Sequence, residues 1–256
     1  MATPKKAVVF YSNSQANSTP STQALDDLCT RGCSGQLIME DLGGKERTHY
    51  VDIIQLLGIN SIDTDQMKTR LVQRFGKMQF GILSCSLEIV ELAKSLGFAV
   101  SLALKSVPTS AEIIDILASV GPKVDLLLVD ISTQNNSWPL INDVVKDLMA
   151  DTPTYLKVIV APRDESASEP VLADKNWWDS LVPEQSHVKK EGRCVSIEPR
   201  HGFVCSYLHD KSTRRDNATK FTTKDIIENG CNGKILAWHF LGEIGHKLGF
   251  VPKYGA

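Results

Sequence analysis

The sequence lacks any long apolar run and any strong imbalance of charge. Its 256 residues include 28 Lys and Arg against 30 Asp and Glu, which gives a formal net charge of −2. No apolar run approaches the roughly 18 residues that span a bilayer. A near-neutral chain also lacks the basic surface that holds nucleic acid or anionic lipid. We therefore expect a protein that neither inserts into a membrane nor binds nucleic acid.

The N-terminal segment also lacks the features of a secretory leader. Its first apolar run, Ala7–Tyr11, is shorter than the roughly seven residues at which a leader's apolar region begins. We expect an intracellular protein, cytoplasmic or nuclear and not secreted, whose cysteines are reduced thiols. Cys29 and Cys33 would share one helix face, but no second pair completes a zinc site. The sequence predicts no metal and no cofactor.

Short apolar runs alternate with helical patterns along the chain, whose 42% apolar content is typical of globular proteins. The predicted strands are Ala7–Tyr11, Phe80–Cys85, Phe98–Leu104, Val124–Val129, Tyr155–Val160, Val195–Ile197 and Phe203–Tyr207. The predicted helices are Thr22–Arg31, Thr48–Leu57, Thr64–Phe75, Ser86–Leu96, Thr109–Val120, Trp138–Met149, Thr223–Asn229 and Trp238–Leu248. This alternation predicts an α/β fold of three layers, with a mainly parallel sheet covered by helices on both faces.

A polar excursion at about 163–193 interrupts this rhythm, within what we predict to be one domain over residues 1–256. The excursion contains Pro170, Pro183 and the pair Trp177-Trp178. Paired tryptophans outside a core strand are good anchors for a protein interface. They could equally fix the excursion onto the domain, and the sequence favours neither interpretation.

The two ends of the chain resemble one known family. The segment Arg215–Thr222 leads into Asn229–Ile235, and this is similar to the pattern R-x-D-x-V-x-x-F-x-E…G-x-L-G-R-I. The first strand is followed by Thr19–Leu28 and then Gly32–Gly35, which is similar to T-P-x-L-D-x-L-A-x-x-G-x-x-G-L. Both patterns are those of archaeal-type cofactor-independent phosphoglycerate mutases, in the alkaline phosphatase superfamily. The resemblance implies an alkaline-phosphatase-like fold.

The resemblance also implies a site that this chain no longer carries in full. The family's reaction needs two divalent metals, held by Asp and His at strand ends where ligands bind in open α/β sheets, and a serine nucleophile that lies in an insert. Ser12 and Asn13 stand where an Asp ligand is expected, and the insert with the nucleophile is absent. Asp130 follows its strand without the family's histidine. Asp130 could be a ligand or a helix cap, and we favour the cap.

Further along, Arg200-His201-Gly202 stands where the resemblance implies Asp-His-Gly. A cation in the place of a carboxylate repels a dication, so Arg200 argues against catalysis. His209 occupies the place of another metal-ligating histidine. We therefore predict no catalytic or metal site, and a possible residual ligand or anion site made of Asn13, Asp130, Arg200, His201 and His209.

Ser84-Cys85-Ser86 is the best remaining candidate nucleophile. It follows a strand and precedes a helix, whose N-terminus could lower a thiol pKa. No base lies near it in sequence. We favour the alternative, a helix cap beside a core cysteine.

These observations favour a non-catalytic protein, an interaction or scaffold subunit of a larger assembly with other protein subunits as partners. One alternative is a metal-dependent phosphoryl hydrolase or mutase with a rearranged site of Asp130, His201 and His209. Another is a metal-free binder of phosphate or a small molecule at the same place.

Overall fold

A computed structural model describes most of the chain. The described residues are 3–15, 22–43, 47–59, 63–105, 108–132, 137–151, 155–165, 188–210, 212–231 and 233–252. The strands are β1 (Lys6–Tyr11), β2 (Cys33–Glu40), β3 (Phe80–Ser84), β4 (Val100–Ala103), β5 (Leu126–Asp130), β6 (Tyr155–Pro162), β7 (Lys189–Lys190), β8 (Arg193–Cys194), β9 (Ile197–Leu208) and β10 (Lys234–Leu236). The helices are α1 (Gln23–Arg31), α2 (His49–Leu57), α3 (Thr64–Phe75), α4 (Leu87–Leu96), α5 (Ser110–Val120), α6 (Trp138–Asp151), α7 (Thr223–Asn229) and α8 (Phe240–Lys247).

Eight strands form one sheet in the order β10-β2-β9-β6-β1-β5-β3-β4. β9 is antiparallel to both of its neighbours, β2 and β6, and every other pairing in this sheet is parallel. The predicted mainly parallel α/β sheet is therefore confirmed. β7 and β8 form a separate antiparallel pair at the end of the predicted excursion.

Alternate residues of the central strands face two apolar cores. In β1, Val9 and Tyr11 lie in the core under α2, α3, α4 and α8. Val8 and Phe10 lie in the opposite core, under α1, α5, α6 and α7. This alternation is the period of two that an extended strand imposes on its side chains. The helices thus cover both faces, and the predicted three layers are confirmed.

The helix beginnings follow from local sequence. Thr109 and Glu112 form the predicted capping box of α5, each satisfying the other's backbone N–H. Thr48 caps α2 by accepting from the backbone N–H of Val51. That cap fixes the first turn of α2, which matters below because the turn begins with His49.

Three parts of the sheet differ from the sequence predictions. Strands β2 and β10 were not predicted, although both belong to the large sheet. The predicted strand Phe203–Tyr207 is part of a longer strand, β9, which begins at Ile197, the last residue of the predicted strand Val195–Ile197. The antiparallel β9 changes where its two histidines lie.

The strand register separates two edges of the sheet. β1, β3 and β5 end together at Tyr11, Ser84 and Asp130, which defines the carboxyl edge. Since Phe203 pairs with Pro162 at the end of β6, His201 lies at the same edge as Tyr11.

His209 lies at the other edge, where the parallel strands begin. Leu208 pairs with Lys157 near the start of β6. Eight residues of extended strand, about 26 Å, separate His209 from His201. The predicted grouping of both histidines in one site is wrong, because β9 runs against the strands beside it.

None of the helices in the described part of the chain has both the length and the apolar character required to cross a bilayer.

Candidate functional site

Asp130 is the centre of a polar cluster at the carboxyl edge. Its carboxylate is fully buried and accepts hydrogen bonds from the hydroxyls of Ser84 and Ser132. Oδ1 also lies 3.0 Å from His49 Nε2. Helix α6 begins only at Trp138, so the interpretation of Asp130 as its cap is wrong. Buried carboxylates need such donors to offset the loss of water.

His49 is the cationic partner of this carboxylate. Its side chain is 21% exposed, so one side of the imidazole reaches solvent. Burial lowers the pKa of His49, but the hydrogen bond and the charge of Asp130 outweigh burial and raise its pKa above the usual 6.5. His49 therefore carries a larger fraction of positive charge near neutral pH than a free histidine does.

A second buried carboxylate, Asp52, lies on the next turn of α2. Its two oxygens accept from Arg47 Nε and Nη2 at 2.8 and 3.0 Å. The hydroxyl of Tyr11 donates to Oδ2 at 2.7 Å. Burial, followed by the charge of Asp52, raises the pKa of Tyr11 well above its ordinary value. Tyr11 therefore stays protonated and acts as a donor only.

Ring contacts join the two carboxylate clusters. The rings of Tyr11 and His49 are stacked with centroids 6.0 Å apart, and Tyr11 meets Phe203 edge to face at 6.1 Å. The guanidinium carbon of Arg47 lies 5.7 Å from the centre of the Phe203 ring, within the range of a cation–π contact. The first turn of α2 is thus held against the end of β1 and the middle of β9.

His201 lies at the rim of this cluster. Its Nδ1 is 2.8 Å from Oε1 of Glu165, an ion-pair contact that is not aligned as a hydrogen bond. The backbone oxygen of Gly202 accepts from the backbone N–H of Arg163. The side chain of Arg200 lies outside the described part, so its predicted role is neither supported nor opposed.

Asn13 lies beside Asp130 but contributes backbone only. Its N–H donates to Ser132 Oγ at 3.2 Å, and its side chain is exposed. Ser132 bridges Asn13 to Asp130. Asn13, Asp130 and His201 are thus brought to one edge, whereas His209 is not.

The candidate nucleophiles are held in unreactive states. Ser84 is fully buried, donates its hydroxyl to Asp130 and accepts from the backbone N–H of Ser86. Burial, and then the charge of Asp130, raises the pKa of the Cys85 thiol to about 11. A thiol with that pKa is almost wholly protonated near pH 7, so it is a poor nucleophile.

His209 has a different environment at the opposite edge. Its Nδ1 lies 2.6 Å from Ser212 Oγ. Burial, followed by the charge of Lys157, lowers its pKa. A neutral histidine there is a structural hydrogen-bonding group and contributes no positive charge to an anion site.

The described residues of the carboxyl edge hold no set of three His, Cys, Asp or Glu side chains close enough to share a metal. The single such set in the described part of the chain, Cys33, Asp216 and Cys231, lies elsewhere. Trp177 and Trp178 lie outside the described residues, so their predicted interface remains a prediction.

Sequence reasoning missed Arg47, His49 and Asp52. The signal that could have found them is their position immediately after a strand, where open α/β sheets place their sites. That signal was hidden because β2, the strand before them, was not predicted.

No protein-family model matches the sequence, and no curated protein matches it. Among solved structures, the PH0037 protein from Pyrococcus horikoshii overlaps the whole of both chains with a TM-score of 0.64 and 9% identity. At that identity the likeness shows a shared fold alone.

Two other structural neighbours belong to the predicted superfamily. An alkaline phosphatase from the Antarctic bacterium TAB5 has a TM-score of 0.48 and 10% identity, over 98% of this chain and 100% of that one. The cofactor-independent phosphoglycerate mutase from Thermoplasma acidophilum has a TM-score of 0.40 and 10% identity, over 70% of this chain and 38% of that one. A TM-score below 0.5 is too low to carry an argument, so the family resemblance remains a prediction.

Proposed function

We propose that this chain is a non-catalytic protein that acts as an interaction or scaffold subunit. The observation that carries the proposal is the saturation of both buried carboxylates at the carboxyl edge. Asp130 accepts from Ser84, Ser132 and His49. Asp52 accepts hydrogen bonds from the Tyr11 hydroxyl and from Nε and Nη2 of Arg47.

A carboxylate whose oxygens are paired with Arg47 or His49 in this way is a poor ligand for a catalytic dication. Mg²⁺ and Mn²⁺ prefer oxygen ligands and bind through carboxylate charge. At this edge a metal would have to displace Arg47 from Asp52, or His49 from Asp130. Each displacement breaks a charge-assisted hydrogen bond and leaves a cation beside the metal.

The same network keeps the candidate nucleophile away from a substrate. Ser84 donates to a carboxylate and is closed to solvent. Activation of a serine requires a base that takes its proton while the oxygen faces a substrate. The network therefore favours a structural role for Ser84, Asp130 and His49, which lock α2 onto the sheet.

The interaction role is supported by one of the two outer strands of the described sheet. β4 is the last strand of the described sheet, and Leu102 on it is 41% exposed. An exposed edge strand with an apolar side chain can accept an extended segment of a partner protein as an added strand.

Two measurements on the full chain test the proposal. The first is hydrolysis of a general phosphomonoester with Mg²⁺, Mn²⁺ or Zn²⁺, for the wild type and Asp130→Asn. No turnover is expected. Metal-dependent turnover that is lost in Asp130→Asn would contradict a non-catalytic role.

The second measurement is capture of partner proteins from an extract of the source cells by the tagged chain. Leu102→Asp should remove specific partners, since a buried charge at an added-strand interface is costly. The matched control is Val72→Asp on α3, another exposed apolar residue, which should retain them. Equal capture by both variants would contradict an interface at β4.

A metal-free anion binder is a second candidate, favoured by the partly exposed basic side chains of Arg47, His49 and His201 at one edge. Binding of inorganic phosphate that weakens in His49→Gln would support this candidate. Absence of phosphate binding at millimolar concentration would rule it out.

A further inference from the structure

Two cysteines that are distant in sequence meet at the edge of the sheet opposite the site described above. Cys33 is the first residue of β2, and Cys231 lies between α7 and β10. Their sulfur atoms are 3.4 Å apart, across 198 positions of the chain. A carboxylate oxygen of Asp216 completes a set of ligand atoms that all lie within 4.8 Å of one another.

The three side chains are held in place by backbone contacts. The Oδ2 atom of Asp216 accepts from the backbone N–H of Ser34 at 2.6 Å and of Cys231 at 3.2 Å. The Oδ1 atom accepts from the backbone N–H of Ala218 at 3.0 Å. The backbone N–H of Asp216 donates to the carbonyl of Gly32. The carboxylate therefore bridges the segments that carry the two cysteines.

A glycine before each cysteine permits this close approach. A Cβ at Gly32 would lie 2.5 Å from the carbonyl oxygen of Tyr207, and one at Gly230 would lie 2.8 Å from that of Ser34. A side chain at Gly230 would push the Cys231 segment away from β2, and one at Gly32 would push the start of β2 away from β9. The sequence is thus suited to bringing Cys33 and Cys231 together.

We propose that Cys33, Cys231 and Asp216 bind a thiophilic divalent cation such as Zn²⁺, with the remaining position open to water. Two thiolates and a carboxylate are ligands that Zn²⁺ takes in proteins, and hydrogen-bonded carboxylates are the usual form of such ligands. The site goes beyond the proposed function, because it lies at the other edge of the sheet. It also departs from the sequence-based expectation of no metal.

The distances fit a shared metal better than a disulfide. Two sulfurs on a tetrahedral zinc at 2.3 Å are about 3.8 Å apart, close to the 3.4 Å observed. A disulfide would need a separation of about 2.05 Å.

Binding would exchange protons for the metal. Each cysteine S–H bond breaks, two S–metal bonds form, and two protons leave to solvent, so the net reaction is neither oxidation nor reduction. Cys231 is exposed and Cys33 is buried, so the cation reaches the site from the Cys231 side. The bound metal would join three segments of the chain that are remote in sequence.

The test is titration of the full chain with Cd²⁺ and with Zn²⁺, under a reductant that does not itself carry thiols. We expect one metal ion per chain, an ultraviolet thiolate-to-cadmium charge-transfer band, and two protons released. Cys231→Ser should abolish the band without unfolding the protein, since Cys231 is exposed. Asp216→Asn should weaken binding at least about tenfold, the loss seen when even an indirect partner of a metal ligand is removed.

Cys194→Ser is the matched control, because Cys194 is also an exposed cysteine and should leave the band unchanged. Absence of the band in the wild type, or its persistence in Cys231→Ser, would overturn the proposal. The proposal would also be overturned if the isolated chain has a mass two hydrogens lower than the reduced chain and binds no metal after reduction. That result would indicate a disulfide.

Discussion

The imidazole Nε2 of His49 lies 3.0 Å from Oδ1 of the buried Asp130 carboxylate, across 81 positions of the chain. This contact fixes the first turn of α2 to the end of β5. It also gives His49 a folded-state pKa above its usual 6.5, because the interaction with Asp130 outweighs the opposing effect of burial.

The raised pKa of His49 makes its contribution to stability depend on pH. The stabilisation by the protonated form is complete below the unfolded-state pKa near 6.5 and is lost as pH rises through the higher folded-state pKa. We expect His49→Gln to reduce the free energy of unfolding by about 2 kcal/mol at pH 5.5, and by less at pH 8.5. Urea unfolding at both pH values measures the difference.

The matched control for this experiment is His246→Gln on the exposed side of α8. This substitution should change the free energy of unfolding little at either pH. If His49→Gln lowers the free energy of unfolding equally at pH 5.5 and 8.5, the charge on His49 does not contribute to stability.

Tyr11→Phe should be destabilising, although it removes one oxygen atom only. The Tyr11 hydroxyl donates to Asp52 in the core, and a buried hydrogen bond to a charged group contributes about 1.5 to 3 kcal/mol. Urea unfolding should show a lower midpoint with an unchanged slope. Tyr50→Phe, at a half-buried position on α2, is the control. Equal effects of the two substitutions would contradict a special role for the Tyr11 hydroxyl.

Lys157→Met should be neutral or stabilising. Lys157 is fully buried, its Nζ has no hydrogen-bond partner among the described residues, and Asp210 lies 3.6 Å away. Asp210 also forms an ion pair with Arg31 at 2.6 Å, and we expect this pair to remain after the substitution. Burial lowers the pKa of Lys157, so the folded state disfavours the protonated form of this side chain. We expect a gain of about 1 kcal/mol near pH 7.

The gain in Lys157→Met should shrink at high pH. The penalty for Lys157 is fully present below its lowered folded-state pKa and disappears as pH rises to its ordinary 10.5. Lys6→Met is the opposite control, because Lys6 donates to the carbonyls of Gly121 and Val124 at 2.6 Å. Thermal unfolding should rank Lys157→Met above the wild type and Lys6→Met below it. A large loss of stability in Lys157→Met would show that the ion pair of Lys157 with Asp210 stabilises the fold.

The strands and helices with clear local patterns were predictable from sequence. β1 and β5 are short, nearly continuous apolar runs, and α5 begins with its capping box. β2 was missed because its buried face contains polar residues. Ser34, for example, is buried and donates to Ser206 Oγ at 3.0 Å on the neighbouring strand. No local pattern shows that a buried serine has a partner on a strand so far along the chain.

The candidate site was predictable only in part, for the same reason. Asp130 and His201 follow from their positions at strand ends, and both lie at the carboxyl edge. His209 was misplaced because the resemblance set it in the place of a metal-ligating histidine, whereas β9 carries the two histidines to opposite edges. The meeting of Cys33 with Cys231 depends on long-range pairing that spacing alone does not encode.

The tryptophan pair Trp177-Trp178 remains a predicted interface anchor. We expect the double substitution to Ala to weaken capture of partner proteins with little change in the thermal midpoint. An anchor of this kind contributes roughly 2 kcal/mol, about a 30-fold change in affinity. Unfolding of the variant would instead place the pair in the core. Unchanged capture with an unchanged midpoint would also contradict the prediction.

Calorimetric titration of the full chain with Mn²⁺, a cation that prefers oxygen ligands, tests most directly whether the carboxyl edge can hold catalytic metals. The wild type and Cys33→Ser/Cys231→Ser should both show no binding at micromolar concentration, because Arg47 and His49 occupy the buried carboxylates. Two-site micromolar binding that disappears in Asp130→Asn would contradict the proposal that this edge is non-catalytic.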